Sequence, residues 1–261
     1  MRTVNTTANH SSRYRAARIL TAAVVAAAPL LSVPLTAPSA SADPCPDVEV
    51  IFARGTGEPP GVGSIGQAFV DALNAQAGGR SVDVYPVDYP AASDFDAGIE
   101  FARTFVDGIK DAANHLQTTA AHCPNTRVVL GGYSQGAALA GFVTSAAIPK
   151  EVPAQYRPYL PKPLPASVAN HVAAVTLFGL PSNQFLTEHG APPITIGPRY
   201  VNKTIQLCAP DDTICNGAPD GQPTIAHILY GSNGSTDQAA AFVVSHLPPA
   251  PAPQPAPAAA S

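Results

Sequence analysis

Residues 127–136 read Arg-Val-Val-Leu-Gly-Gly-Tyr-Ser-Gln-Gly and end in the pattern Gly-x-Ser-x-Gly. The apolar residues that open this stretch predict a buried strand, and the Ala-rich residues 137–147 predict a helix. Ser134 therefore stands on a sharp turn between a strand and a helix. Side chains two residues before and two residues after the serine would collide in so tight a turn. The collision explains why Gly132 and Gly136 occupy those positions.

A Gly-x-Ser-x-Gly turn between a strand and a helix is the nucleophile elbow of α/β-hydrolases. The turn raises the hydroxyl of Ser134 above the carboxyl end of a sheet, at the amino end of the next helix. Free backbone N–H groups and the helix dipole at that point favour a developing oxyanion. The alternative, a structural Gly/Ser turn, is disfavoured because both a strand and a helix flank the pattern. The sequence thus predicts an α/β fold with Ser134 as a nucleophile.

The first 42 residues have the features of a secretory signal peptide. Arg13, Arg15 and Arg18 give a basic start before an apolar segment, residues 19–31, that is too short to span a bilayer comfortably, and Ala40-Ser41-Ala42 supplies a small-residue cleavage site. An uncleaved anchor is the alternative, but Pro29, Pro34 and Pro38 break the leader and no stop-transfer charge cluster follows it. We therefore predict a secreted protein, extracellular or cell-wall associated. Its mature chain has 261 − 42 = 219 residues, which suits one α/β domain.

The mature chain is acidic, and this excludes several classes of partner. The full sequence has 14 Lys and Arg against 18 Asp and Glu, and four arginines but no acid lie in the leader, so the mature charge is (14 − 4) − 18 = −8. Nucleic acid and anionic headgroups are poor partners for such a chain. No second segment is long and apolar enough for stable membrane insertion. This charge suits a neutral substrate and a soluble exported protein.

Four cysteines remain after the predicted cleavage: Cys45, Cys123, Cys208 and Cys215. An even number in an exported chain indicates disulfides. Three pairings are possible in principle. The short spacing between Cys208 and Cys215 favours a local bridge and leaves Cys45 to pair with Cys123. Zinc ligation is disfavoured because no C-x-x-C pair or close Cys/His cluster is present, and we expect neither a metal nor a cofactor.

Apolar runs alternate with helical patterns along the chain, which predicts a mostly parallel sheet covered on both faces. The predicted strands are residues 48–53, 82–89, 127–131, 172–178 and 203–207. The predicted helical stretches are 65–73, 94–121, 137–147 and 224–247, the last with a Gly/Ser break near Gly231. Ligands of such sheets lie at the carboxyl ends of the strands. Thr56, Ser134 and the loop after Leu207 should therefore gather on one rim. The Pro-rich segments 149–167 and 248–261 are expected to be peripheral, the second as a disordered tail.

A serine nucleophile needs a base, and α/β-hydrolases supply it as a histidine late in the chain. Four histidines follow Ser134. His171 opens a strand at its amino end, which is the wrong rim, while His189 lies in a Gly/Pro loop and His246 near the tail. His227 follows the last predicted strand and can fold back over the rim. It is therefore the best candidate for the base.

The acid that orients the histidine should lie between Ser134 and His227 on a loop at a strand end. The loop 208–215 offers two adjacent carboxylates, Asp211 and Asp212, bracketed by the two nearby cysteines. A small disulfide ring would restrict this loop, which suits an acid that must hold an imidazole steady. A calcium site would need more oxygen ligands than the loop offers. Spacing alone does not separate Asp211 from Asp212.

Four motifs together are far more specific than the elbow alone. They are Ala53-Arg54-Gly55-Thr56, Gly132-Tyr133-Ser134-Gln135-Gly136, the C-x-x-x-D-x-x-C pattern of residues 208–215, and His227-Ile228-Leu229-Tyr230-Gly231. In these motifs the chain resembles the cutinases, and in particular the bacterial cutinase-like esterases. The resemblance runs from about Cys45 to Leu247. It implies a three-layer cutinase-like α/β-hydrolase domain over residues 43–247 without a large lid, and it implies the Cys45–Cys123 pairing as well.

The same resemblance implies roles for individual residues. The family has its catalytic acid four residues after the first cysteine of the small loop, which selects Asp212. It has its base at the histidine before an aromatic-glycine pair, here His227. Its oxyanion hole comes from the backbone N–H groups that correspond to Thr56 and Gln135, and the Thr56 hydroxyl could add a third donor.

These observations predict a secreted serine esterase, expected to be a monomer. It would hydrolyse short- to medium-chain carboxylic esters, lipid-like or polyester, through a Ser-His-Asp triad and an acyl-enzyme. An alternative is an acyltransferase, thioesterase or phospholipase that acts on cell-envelope lipids with the same triad. A non-enzymatic binding protein on a hydrolase scaffold is disfavoured because every catalytic element is present.

Overall fold

The computed structural model describes residues 45–249, which build a parallel five-stranded sheet with helices on both faces. The strands are β1 (Val48–Ala53), β2 (Val82–Pro86), β3 (Arg127–Tyr133), β4 (Val172–Phe178) and β5 (Thr204–Leu207). Their order in the sheet is β2-β1-β3-β4-β5, and all four pairings are parallel. The predicted signal peptide and most of the predicted tail lie outside the described residues.

Seven α-helices connect and cover the strands of residues 45–249. They are α1 (Gly63–Gln76), α2 (Ile99–His122), α3 (Gln135–Val143), α4 (Ala166–Ala169), α5 (Asn183–Glu188), α6 (Ile225–Ile228) and α7 (Ser235–His246). Single 3-10 turns occur at Phe95–Ala97, Arg157–Tyr159 and Val201–Lys203. No helix in this part of the chain is long and apolar enough to cross a membrane.

Alternation of side chains along the strands creates two hydrophobic cores, one on each face of the sheet. In β1, Val50 and Phe52 pack into the core that α1 and α7 cover. Ile51 and Ala53 point the other way, into the core that α2 and α3 cover. The sheet therefore lies between two helical layers, and the predicted three-layer α/β-hydrolase architecture is confirmed.

Two predicted elements have different bounds in the structure. The predicted strand 82–89 ends at Pro86, opposite Phe52 of β1. Beyond it the backbone N–H of Val87 donates to the carbonyl of Phe52 (3.0 Å), and that of Asp88 donates to the carboxylate of Asp111 on α2 (2.9 Å). The predicted helix 94–121 begins with a 3-10 turn and becomes an α-helix only at Ile99. Gly98, with φ +55°, interrupts it.

Two disulfides pair the four cysteines as the sequence predicted. Cys45–Cys123 joins the chain just before β1 to the end of α2, across 78 residues. Cys208–Cys215 closes a short ring directly after β5, with a sequence separation of 7. The second bridge constrains the loop that follows the edge strand.

The carboxyl ends of the strands share one edge of the sheet because every pairing is parallel. Thr56 follows β1, Ser134 follows β3, and the disulfide loop follows β5. The three sequence-predicted segments thus emerge on the same rim.

Candidate active site

Ser134 occupies the turn between β3 and α3 in a backbone conformation that most residues avoid, with φ 53° and ψ −116°. A methyl group at Gly132 would overlap the backbone of Gly136. A methyl group at Gly136 would overlap the carbonyl oxygens of Ala53 and Arg54. Both glycines are therefore required by close backbone approach, and the turn has the geometry of a nucleophile elbow.

A Gly136→Ala variant is expected to lose about 3 kcal/mol or more of its free energy of unfolding, because backbone atoms cannot move aside as a flexible side chain can. The matched control is Gly231→Ala, where the nearest side-chain atoms would stand 3.5 and 3.7 Å from the new methyl group. Urea unfolding of both variants measures the difference. Equal stability of the two variants would contradict the tight packing of the elbow.

Ser134, His227 and Asp212 form a continuous hydrogen-bonded chain on the rim. The Nδ1–H of His227 donates to Oδ2 of Asp212 (2.8 Å), and the Ser134 hydroxyl donates to Nε2 of His227 (2.9 Å). An ionised carboxylate only accepts hydrogen bonds, so the proton of the neutral imidazole belongs on Nδ1 and Nε2 is free to accept. His227 is 6% exposed and Asp212 is fully buried, whereas Ser134 remains partly exposed. The arrangement can take a proton from the serine and stabilise the imidazolium that forms.

Asp212 is held ionised by its hydrogen bonds in spite of its burial. Burial alone would raise the pKa of Asp212, but the hydrogen bonds from His227 and Tyr230 and from the backbone N–H of Ile214 outweigh it. The net result is a pKa below the usual value for aspartate. The carboxylate is therefore charged at neutral pH and able to orient the imidazole.

The structure of the disulfide loop distinguishes Asp211 from Asp212, between which the sequence pattern did not decide. Asp212 is buried, and its backbone N–H donates to the carbonyl of Ala209 (2.9 Å) in a turn inside the ring. Asp211 is exposed, and its carbonyl accepts from the hydroxyl of Thr224 (2.8 Å). Only Asp212 contacts His227.

The other three late histidines lie elsewhere. His171 precedes β4 at the amino edge of the sheet. His189 stacks on Phe185 after α5, and His246 at the end of α7 contacts the carbonyl of Asn202. None of them hydrogen-bonds to Ser134.

The two backbone N–H groups expected to form an oxyanion hole are available. In the described part of the chain, the N–H groups of Thr56 and Gln135 donate to no protein acceptor. Glu58 braces the loop after β1, since its carboxylate accepts from the N–H of Gly55 (2.7 Å) and from the N–H of Ser64 (2.8 Å). Two unpaired donors on a braced loop and a helix terminus suit a developing oxyanion.

A second loop links the two expected donor segments. The carbonyl of Ala91, in a left-handed conformation with φ 50°, accepts from the N–H of Gly57 (2.7 Å). The next carbonyl, that of Ala92, accepts from the side chain of Gln135 (2.9 Å). The carbonyls of two adjacent residues therefore hold both the loop after β1, through Gly57, and the side chain of Gln135, the residue after the serine. No sequence pattern indicated this loop.

Two tyrosines near the triad were also missed as functional residues, although both stand inside quoted motifs. Tyr133 donates to the carbonyl of His227 (2.9 Å). Tyr230 donates to the carboxylate of Asp212 (2.6 Å). Gly179, with φ +57°, follows β4. A side chain at this position would fill the space beside the imidazole of His227 and the carboxylate of Asp212.

A parallel sheet between helical layers, with a serine on a strand–helix turn at its carboxyl edge, defines the α/β-hydrolase class. Within that class, the chain belongs to the cutinase family, since the Cutinase family model matches residues 44–247. The resemblance predicted from the sequence motifs is thereby confirmed.

Individual relatives agree with the family assignment. The chain is 56% identical over 173 residues to the probable carboxylesterase Culp7 of Mycobacterium tuberculosis, covering 66% of this chain and 89% of that protein. It is 46% identical over 233 residues to the carboxylesterase Culp1 of Mycobacterium bovis, covering 88% and 95%. The solved structure of Trichoderma reesei cutinase with a phosphonate inhibitor is 32% identical with a TM-score of 0.58, covering 79% of this chain and 78% of that chain. The chain is accordingly a carboxylic ester hydrolase, and its two disulfides and cutinase fold fit an extracellular enzyme.

Proposed function

We propose that this chain is a secreted serine esterase that cleaves short- to medium-chain carboxylic esters with Ser134 as nucleophile, His227 as base and Asp212 as orienting acid. The observation that carries the proposal is the hydrogen-bonded chain from the Ser134 hydroxyl through His227 to the buried Asp212 (2.9 and 2.8 Å). Secretion rests on the predicted signal peptide, residues 1–42. The ester is the expected partner, and the enzyme acts as a monomer.

In the acylation step, Nε2 of His227 takes the proton of Ser134 as the oxygen attacks the ester carbonyl. The tetrahedral intermediate carries its negative charge on the former carbonyl oxygen, where the N–H groups of Thr56 and Gln135 stabilise it. The bond to the alcohol oxygen then breaks, and His227 returns the proton to the leaving alcohol. The product of this half-reaction is an acyl ester on Ser134.

Water completes the reaction by the same route. His227 takes a proton from water, the hydroxide attacks the acyl carbonyl, and the proton returns to Ser134 as the acid leaves. Throughout, Asp212 fixes the tautomer of His227 and stabilises its protonated form. Losing one oxyanion donor typically costs about 10²- to 10³-fold in kcat.

Apolar side chains beside the base support an ester with an acyl chain. Ile225 is 67% exposed, Ile228 57% and Leu229 42%, and all three flank His227 on and after α6. Phe95 is also exposed, three residues after Ala92, whose carbonyl accepts from the side chain of Gln135. Exposed apolar groups at the mouth of a site favour a hydrophobic substrate.

The chain-length dependence of kcat/KM on p-nitrophenyl esters tests this proposal. Activity is expected to peak at short or medium acyl chains. Ile228→Ser should lower kcat/KM for the octanoate about fivefold, because part of an apolar contact of about 1 kcal/mol is lost, and should leave the acetate unchanged. The matched control is Val201→Ser, an equally exposed aliphatic side chain (55%) before the amino end of β5.

The protein for this assay is purified from the culture medium. The proposal requires that its N-terminal residue be Asp43 and that its mass in solution be that of one chain. If the enzyme is active and the Ile228→Ser and Val201→Ser variants have the same preference between the octanoate and the acetate, the proposed contact of Ile228 with the acyl chain is contradicted. A folded protein inactive on every ester would contradict the esterase proposal itself.

A phospholipase is the second candidate. The chain is 46% identical over 243 residues to the phospholipase Culp4 of Mycobacterium tuberculosis, covering 91% of this chain and 97% of that protein. The exposed apolar residues beside His227 suit a lipid substrate equally well. Release of fatty acid from phosphatidylcholine, measured beside the p-nitrophenyl series, distinguishes the two candidates.

A further inference from the structure

Tyr230 contacts the same carboxylate oxygen that His227 uses. Its side chain is fully buried, and its hydroxyl donates to Oδ2 of Asp212 at 2.6 Å. His227 donates to that oxygen at 2.8 Å. The other oxygen, Oδ1, accepts the backbone N–H of Ile214 at 3.1 Å. Three donors therefore fix the plane of the carboxylate, and the shortest of the three hydrogen bonds comes from Tyr230.

The orientation of the Tyr230 hydroxyl is itself fixed. The backbone N–H of Ala209 donates to the hydroxyl oxygen (3.0 Å), so the hydroxyl proton is directed to Asp212. The ring packs against Phe178 and Tyr133, with centroids 6.3 and 6.2 Å away. Burial and the adjacent carboxylate both raise the pKa of Tyr230, which keeps its hydroxyl protonated as a donor.

We propose that Tyr230 is a positioning residue for the esterase reaction, holding Asp212 in the orientation from which it binds the Nδ1–H of His227. The inference rests on the proposed function of the triad. Tyr230 lies two residues beyond α6, and its hydroxyl donates to Asp212 and not to Ser134. It acts on the reaction only through Asp212.

The chain offers a matched control for this residue. Tyr200 is also buried (4% exposed), and its hydroxyl has no hydrogen-bond partner among the described residues. Tyr230→Phe and Tyr200→Phe each delete one buried hydroxyl, but only the first is bonded to Asp212. We expect Tyr230→Phe to lower kcat about 10- to 100-fold with KM nearly unchanged, because one hydrogen bond to a charged group is lost. Tyr200→Phe should leave kcat unchanged.

Two further readouts distinguish positioning from a general loss of packing. In Tyr230→Phe the carboxylate of Asp212 loses one stabilising donor and interacts more strongly with the protonated form of His227, so the acid limb of the kcat/KM profile, which reports protonation of the base, moves to higher pH. The ¹H resonance of the Nδ1–H of His227 moves further downfield, since Asp212 becomes a stronger acceptor. Both stay as in the wild type in Tyr200→Phe. In an Asp212→Asn background, Tyr230→Phe should have little further effect on kcat.

An active wild-type enzyme whose Tyr230→Phe variant matches Tyr200→Phe in kcat, pH profile and resonance would overturn the inference while leaving the triad intact. An inactive wild type would instead overturn the proposed function. If Tyr230→Phe does not fold, the same resonance is measured on wild-type protein in which tyrosine is replaced by 3-fluorotyrosine. The more acidic hydroxyl should then move the Nδ1–H resonance upfield, and an unmoved resonance overturns the inference.

Discussion

Replacing Ser134 by alanine is expected to lower kcat/KM for a p-nitrophenyl ester roughly 10⁴- to 10⁶-fold, the range found when a triad nucleophile is removed. The loss is expected because the Ser134 oxygen is the proposed nucleophile, and among residues 45–249 no other hydroxyl donates to Nε2 of His227. The change in kcat/KM is measured with purified protein in a stopped assay of ester hydrolysis. Thermal unfolding should be nearly unaltered, since the serine side chain is partly exposed.

The control for this variant is Ser145→Ala. Ser145 lies just beyond α3 and its hydroxyl bonds only to the carbonyl of Thr195 (3.2 Å). It should retain full activity. Hydrolysis by a folded Ser134→Ala protein at more than about a hundredth of the wild-type rate would remove Ser134 from the proposed mechanism, because far greater losses accompany the removal of a triad nucleophile.

Asp212→Asn is expected to lower kcat about 10⁴-fold. The asparagine amide can donate a hydrogen bond to Nδ1, which favours the imidazole tautomer with its proton on Nε2. Nε2 then cannot accept the proton of Ser134. The pH-independent kcat of the variant, measured by burst kinetics on a p-nitrophenyl ester, reports this loss directly.

The adjacent aspartate provides the control. Asp211 is exposed and its side chain takes no part in the triad, so Asp211→Asn should keep kcat within about twofold of the wild type, as for surface substitutions in general. If Asp211→Asn were the inactive variant and Asp212→Asn the active one, the assignment of the acid would be wrong.

The fold was predictable where the sequence pattern is strong and local. β1 and β4 match their predicted residues because both are predominantly apolar runs buried on two faces. The end of β2 was not predictable, because it depends on where its partner β1 stops pairing, at Phe52, and the backbone beyond Pro86 bonds to Phe52 and to Asp111 on α2. Contacts between residues far apart in sequence set such boundaries, and no short pattern carries them.

The same distinction holds for the candidate site. Ser134 follows from the elbow, whose glycines are dictated by local backbone contacts. Asp212 could not be separated from Asp211 by spacing, because burial inside the disulfide ring distinguishes them and burial is a tertiary property. The support from Tyr230 and the loop at Ala91 escaped prediction for the same reason: each depends on contacts between segments that meet only in the folded chain.

The central claim is that Ser134, activated by His227, is the nucleophile, and labelling with a fluorophosphonate followed by peptide mass spectrometry tests it most directly. The account predicts one adduct per chain, on the peptide that contains Ser134, with no adduct in Ser134→Ala and a greatly slowed reaction in His227→Ala. An adduct on another residue, or a folded and hydrolytically active protein that takes no label, would contradict the account.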